Sequence, residues 1–435
     1  MKTHRLRNSI LILFLLVIVW GLAVVFGAFR TSSVAPQALK PMSANEMEQL
    51  VGKGRELVLA GDCMGCHSQV TGPQAAGGVA IATPFGTLHS TNISPDKTHG
   101  IGNYTREDFH RVMRDGIAPG DRNLYPGMPY VFTHITTPDD IDAMYAYLMS
   151  IEPMNVPNKP NTGAFELPVR PFVNFWTLLN FPDRTFTTNP DRSELWNRGS
   201  YLVNGLAHCA ACHTPMNFMM GTEFDRPLQG GNIDGLDIPN ITPEMLGKRG
   251  FDVDILTQYL QTGIAPQGTS FAGMHTVTHF STSAMDDTDV KAVATYLLTD
   301  AKGNIVKPSA APAPLPQAAQ PAPDSEMMIG RNTYMAACAG CHGMQGEGIP
   351  NVSPALHGNG IIAMDSAKDT ISVVLNGIPT EHFTGNKRMY AMPPFAHRLS
   401  DEEIADLATW VRAEWGGQAT PVTVEEVKAL DRAVQ

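Results

Sequence analysis

No cysteine is left over for a disulfide or a catalytic thiol. All six lie in Cys63-Met64-Gly65-Cys66-His67, Cys209-Ala210-Ala211-Cys212-His213 and Cys338-Ala339-Gly340-Cys341-His342. No run of basic residues occurs, and the formal charge is −11, so nucleic acid is excluded as a partner. No glycine-rich loop opens a helix in the way a nucleotide site requires, which removes dinucleotide and phosphate chemistry. No stretch alternates apolar and polar residues over a strand's length, and no nucleophile sits in a recognisable catalytic motif. These absences predict an all-α chain without a substrate-oxidising site of its own.

What remains is one five-residue signature used three times. C-x-x-C-H is the attachment motif of c-type haem. Its two thiols, three residues apart, reach both vinyl groups of one porphyrin, and the next residue places an imidazole under the iron. The motif copies predict three covalently bound haem c groups. Their thioethers come from Cys63, Cys66, Cys209, Cys212, Cys338 and Cys341, and their proximal ligands are His67, His213 and His342.

The chain repeats around these motifs. Asn92-Ile93-Ser94-Pro95 recurs as Asn240-Ile241-Thr242-Pro243, and Gly116-Ile117-Ala118-Pro119 recurs as Gly263-Ile264-Ala265-Pro266, with Gly377-Ile378-Pro379 as a third, shorter counterpart. Cys63 and Met128 are 65 positions apart, as are Cys209 and Met274, whereas Cys338 and Met392 are 54 apart. Self-similarity of this kind marks duplicated units. A methionine at matched position in all three predicts Met128, Met274 and Met392 as sixth iron ligands, since His/Met ligation closes both axial sites and raises the reduction potential. Met389, His275 and His279 are the nearby alternatives, and Met216, Met219 and Met220 read as crevice packing. The segments 84–87 and 90–92 fit either the haem edge or turn chemistry.

Helices are expected before each haem motif at 44–60, 193–206 and 325–336, and in mid-module at 106–114 and 253–261. Last helices open at Thr137-Pro138-Asp139-Asp140 and at Ser400-x-x-Glu403, which read as N-cap and capping-box patterns. Ahead of them, Lys2, Arg5 and Arg7 precede twenty uncharged residues at 10–29. At ~1.5 Å per residue that spans a bilayer core, which predicts an uncleaved transmembrane helix with a cytoplasmic N-terminus and a periplasmic remainder at the inner membrane. The alternative is a cleaved signal ending at Ser33-Val34-Ala35, which Pro36 disfavours by following the cut. The expected organisation is an anchor at 1–30, cytochrome c domain 1 at 44–152 and an apolar, proline-rich crossover at 153–190. Domain 2 follows at 191–306, a Pro/Ala spacer at 307–324, domain 3 at 325–418 and a tail at 419–435. Because the crossover joins domains 1 and 2 while a spacer tethers domain 3, the first two are expected to form one compact body and the third to stand apart.

The motifs TPFGTLHSTNISPDKTHGIGNYTREDF and LYPGMPY in the first repeat, with NITP and GIAP in the second, resemble the triheme cytochrome c subunit of membrane-bound dehydrogenases of acetic acid bacteria and their relatives. The resemblance covers residues 44–415. It implies three class I-type cytochrome c folds in tandem, a separate catalytic subunit that oxidises substrate, and electrons relayed through the haems to ubiquinone. The uncleaved N-terminal helix is similar to the subunit serving molybdopterin and iron–sulfur aldehyde dehydrogenase. Pyrroloquinoline quinone alcohol dehydrogenase and flavin-dependent sugar or gluconate dehydrogenases are the alternative partners. A membrane-tethered shuttle to a terminal oxidase is the reading from another class.

Overall fold

The computed structural model describes residues 2–27, 39–69, 71–182, 184–233, 235–309 and 326–430, without the side chains of 2–13 and 326. Most of the spacer expected at 307–324 therefore lies outside the described residues. Clustering of backbone contacts gives two compact units, one of residues 1–187, 204–208 and 217–222, the other of 188–203, 209–216 and 223–435.

In the first unit, Ser43 caps the helix Ala44–Ala60 through a reciprocal box with Glu46. Thr105 and Asp108 do the same for Arg106–Asp115, and Thr137 caps Pro138–Ser150 with proline at the first position. The helix Ala44–Ala60 crosses Pro138–Ser150 so closely that a Cβ on Gly54 would lie 1.8 Å from the Ala143 carbonyl oxygen. Only glycine permits that approach, and it brings Leu57 and Val58 into the core with Ile141 and Met144.

The same crossing occurs twice in the second unit. A Cβ on Gly199 would stand 2.0 Å from the Ala292 oxygen, and one on Gly330 would stand 2.1 Å from the Asp406 oxygen. The helices concerned are Glu194–Asn204 against Asp287–Leu297, and Glu326–Ala337 against Asp401–Gly416. In the last pair Tyr334, Trp410 and Trp415 stack edge-to-face and tilted with centroids 4.9–5.1 Å apart. Arg412, almost wholly buried, donates to the carbonyls of Met364 and Asp365 at 2.8 Å each. The residues expected as a tail include the helix Val424–Lys428, and Val422 and Val427 are buried in the same core.

Two details differ from expectation. The chain is helix-rich, with short strands between the helices. Five two-stranded antiparallel ladders occur among the described residues, the longest Ala80–Thr83 with Gly86–His89. Strands of two to four residues are too short for alternation to show in sequence. The grouping of the modules also differs. Most of the crossover, 153–187, belongs to the first unit, while segments 223–306 and 326–430 share the second. Composition marks the 307–324 stretch as a spacer, but a spacer does not decide whether the bodies it joins pack together.

The N-terminal segment forms the helix Lys2–Val25, whose carbonyl at Val25 accepts a 2.8 Å bond from Asn174 in the crossover helix Val173–Asn180. Phe14, Leu15, Leu16, Val17, Ile18, Val19, Trp20 and Leu22 are all exposed. Among the described residues no helix is long and apolar enough to cross a membrane. The expected span reaches beyond them, to side chains at 10–13 and to residues 28 and 29.

One ion network in the first unit has a measurable consequence. Asp142 accepts from Arg106 at 2.5 and 2.6 Å and pairs with His110 at 2.8 Å, and both Asp142 and His110 are buried. Burial alone would raise this carboxyl. The hydrogen bonds from His110 and Arg106 outweigh it and hold the group down at about 2. A carboxyl depressed on folding contributes stability above its unfolded value near ~3.9, lost as pH falls towards 2. Asp142→Asn is expected to cost about 3 kcal/mol at neutral pH, a deficit that shrinks below pH ~4 in urea titrations followed by circular dichroism.

Candidate functional site

Each C-x-x-C-H motif forms a short helix or its start, over Cys63–His67, Cys209–His213 and Ala339–His342. The chain then returns to clasp the histidine in the same way three times. The His67 carbonyl accepts from Gly77 N–H at 2.7 Å, that of His213 from Gly230 at 2.8 Å and that of His342 from Gly348 at 2.8 Å. Each ring is fixed through Nδ1, facing the carbonyl of Thr91 at 2.6 Å, of Pro239 at 2.7 Å and of Pro354 at 3.0 Å. A carbonyl only accepts, so Nδ1 carries the proton and Nε2 keeps its lone pair. Burial lowers all three imidazoles below their ordinary value, against a smaller opposing effect of those carbonyls. A neutral imidazole, oriented by a carbonyl on its far nitrogen, is the form that ligates a metal.

This geometry explains a marker whose role was open in the sequence. The residue just before Asn92 or Asn240 presents the carbonyl to the histidine. Asn92 Oδ1 then accepts from the backbone and hydroxyl of Ser94 at 2.9 and 2.7 Å, and Asn240 does the same with Thr242. The Asn-Ile-Ser/Thr-Pro repeat is thus the turn that aims a carbonyl at the ring. Of the segments left open, 90–92 serves this turn through Thr91. The 84–87 stretch is the tip of a hairpin, with Phe85 exposed.

The thiols fit an apolar, covalent attachment. Burial pushes Cys63 and Cys209 up to about 12 and Cys338 up to about 11, with smaller contributions from neighbouring acidic groups and thiols. Cys66, Cys212 and Cys341 complete the pairs on the same short helical turns, and Cys212 and Cys341 stand exposed.

The three methionines are all half-buried but differ in backbone. Met128 lies in a turn, its N–H donating to Tyr125 O at 3.0 Å. Arg170 stacks 4.3 Å over the Tyr125 ring, which also meets Phe165 at 4.8 Å, so the crossover braces this loop. Met274 sits in a helix, Ala272–Val277, not in the loop its flanking glycine implies. Met392 exchanges backbone bonds with Ile378 at 2.9 and 3.0 Å, which is what the third Gly-Ile marker is for. Met392 and Cys338 both pack, half-buried, against the core of the third repeat.

Among the alternatives, Met389 is buried in a strand paired with Glu381. His275 faces the Glu381 carboxylate at 3.9 Å, and His279 is exposed. Met220 is 40% exposed beside Phe218 at 95%. What sequence reasoning missed is the glycine triplet Gly54, Gly199 and Gly330, eight to ten residues before each first cysteine. An aromatic residue, Tyr147, Tyr296 or Trp410, has its Cβ against each glycine, four residues beyond the carbonyl it meets. That pairing is a signal carried by the three repeats themselves, a glycine before the motif matched with an aromatic in the last helix.

Known proteins are similar to this chain in sequence. The family model for cytochrome c matches residues 51–152 and 327–415. The chain is 36% identical over 385 residues to a nicotinate dehydrogenase subunit of Pseudomonas putida, covering 87% of this chain but only 31% of that longer protein. It is 33% identical over 430 residues to the cytochrome c subunit of alcohol dehydrogenase (quinone) of Gluconacetobacter polyoxogenes, covering 94% of this chain and 90% of the relative. The gluconate 2-dehydrogenase cytochrome c subunit of Pantoea cypripedii is 33% identical over 433 residues, with 95% and 96% covered.

Proposed function

Because this chain belongs to the family of cytochrome c subunits of alcohol and gluconate dehydrogenases, we propose that it relays electrons from a catalytic dehydrogenase subunit to ubiquinone through three haem c groups. The observation that carries this reading is the threefold recurrence of an imidazole fixed through Nδ1 at the end of a motif whose first cysteine is half-buried. His67, His213 and His342 would hold the irons from one side and Met128, Met274 and Met392 from the other. Cys63, Cys66, Cys209, Cys212, Cys338 and Cys341 would form the thioethers. When bound, haem supplies reversible one-electron iron chemistry. The chain's part is to orient each imidazole, close each site with an apolar core and a soft thioether, and hold the sites in tandem at 44–152, 191–306 and 325–418.

The placement that fits is the periplasmic face of the inner membrane, with the N-terminal helix as anchor. The exposed apolar faces of Lys2–Val25 and of the crossover, at Phe172, Leu178 and Leu179, support it. The third module, farthest in sequence from that anchor, is assigned to the catalytic subunit. Named relatives serve dehydrogenases of nicotinate, alcohol and gluconate, so one cytochrome design accepts electrons from several chemistries. The anchor favours a molybdopterin and iron–sulfur aldehyde dehydrogenase as the partner here.

Gentle detergent purification of the native complex tests this. A copurifying subunit with molybdopterin and iron–sulfur is expected, with aldehyde-driven reduction of the haems and of added ubiquinone. Pyrroloquinoline quinone or flavin in its place would overturn the aldehyde assignment. Purification of the cytochrome alone would overturn the complex and favour the shuttle to an oxidase.

A further inference from the structure

The second unit holds a contact that the covalent connection between modules does not explain. The hairpin Glu381–Phe383/Lys387–Met389 leads directly into the Tyr390–Met392 loop of the third module. Its Phe383 is buried, and the ring meets His275 edge-on at 5.0 Å, next to Met274. Gly263 makes room for it. A Cβ there would lie 2.7 Å from the Phe383 ring, and Gly263 also adopts φ +72°, so no other residue fits the notch.

Contacts of the same kind flank this one. Gly360 N–H donates to Gln267 O at 3.1 Å, and a Cβ on Gly268 would be 2.7 Å from the Asn359 side chain. Asp237 N–H donates to the Asp369 carboxylate at 2.9 Å, and Thr384 Oγ1 donates to Gln261 O at 3.4 Å. Two glycines thinned for the partner segment, a buried aromatic plug and hydrogen bonds on either side are features of a built interface.

Resting on the reading of these segments as haem modules, we propose that this hairpin is a latch and Phe383 a positioning residue. Together they lock the helix Ala272–Val277 that carries Met274 in the second module to the Met392 loop of the third, making the two modules one rigid redox body. The 307–324 spacer is then a covalent connection and not what holds the third module in place. An electron leaving one module reduces its neighbour within the same particle, with no bond made or broken and no dependence on the tether.

The test is a specific protease site inserted between Ala310 and Asp324 of the full, haem-loaded chain. After cleavage the wild-type fragments are expected to co-elute at micromolar concentration. After partial reduction, electron redistribution between them should be independent of dilution. In the cleaved Phe383→Ser protein the fragments should bind roughly 100-fold more weakly, and redistribution should slow on dilution. Phe383→Leu should restore co-elution. Separation of the cleaved wild-type fragments overturns the proposal, and so does wild-type affinity in Phe383→Ser. The wild-type cut needs no substitution, so it decides the matter even if the serine variant does not fold. A fragment lacking haem that still co-elutes would instead sink the functional reading and leave the latch standing.

Discussion

Gly54→Ala is expected to destabilise the first unit by about 4 kcal/mol or more, whereas Gly52→Ala, two residues earlier in the same helix, is expected to stabilise it by ~0.5–1 kcal/mol. Propensity favours alanine at both positions, so the opposite outcomes isolate packing. Nothing lies within 4 Å of a Cβ on Gly52, but a Cβ on Gly54 would meet the Ala143 oxygen at 1.8 Å and the Tyr147 Cβ at 2.8 Å. Both are parts of the facing helix, backbone and first side-chain atom, and neither can rotate away. The helices must separate, opening the core around Leu57, Val58, Ile141 and Met144. Thermal unfolding followed by circular dichroism measures both variants, and equal, small effects would contradict the close crossing. The same argument applies to Gly199 and Gly330, and an effect confined to Gly54 would mean that the three crossings are not equivalent.

Replacing Met128, Met274 or Met392 singly by leucine is expected to remove one third of the near-infrared absorption that Met–Fe(III) ligation produces. It should lower the potential of one haem and leave the other two unchanged. Leucine keeps the volume and removes the sulfur, so the fold should persist while the ligand is lost. Met274 is the most informative of the three, because it lies in the helix Ala272–Val277 with His275 and His279 nearby. A band intact in Met274→Leu would transfer the ligand role to another group. A band intact in Met392→Leu would move it to Met389, which is buried in its strand.

How far the sequence spoke depends on the length scale of the interaction. Helix starts were legible because they are local. Ser43, Thr105, Thr137 and Ser400 each accept from the backbone N–H three residues on, a pattern carried by four consecutive residues. The imidazoles were legible as ligand candidates because two cysteines stand beside each. Their hydrogen-bond partners were not, since Thr91 and Pro239 contribute only a carbonyl, which every residue has. The repeated Asn-Ile-Ser/Thr-Pro marker showed that something mattered there without showing what. The short hairpins fell below the length at which alternation is detectable. The grouping of segments 223–306 and 326–430 rests on contacts such as Phe383 filling the place of a missing side chain at Gly263, a pairing across 120 positions that no local pattern carries.

The central claim is that this one chain carries three covalent haems. Intact-mass analysis of the purified subunit under denaturing conditions tests it most directly, because thioether-bound haem stays with the polypeptide while other haem is lost. The account predicts a mass equal to the mature chain plus three haems. That mass should fall by one haem when both cysteines of any single motif, such as Cys209 and Cys212, are replaced by alanine. A wild-type mass carrying two haems or fewer would contradict it.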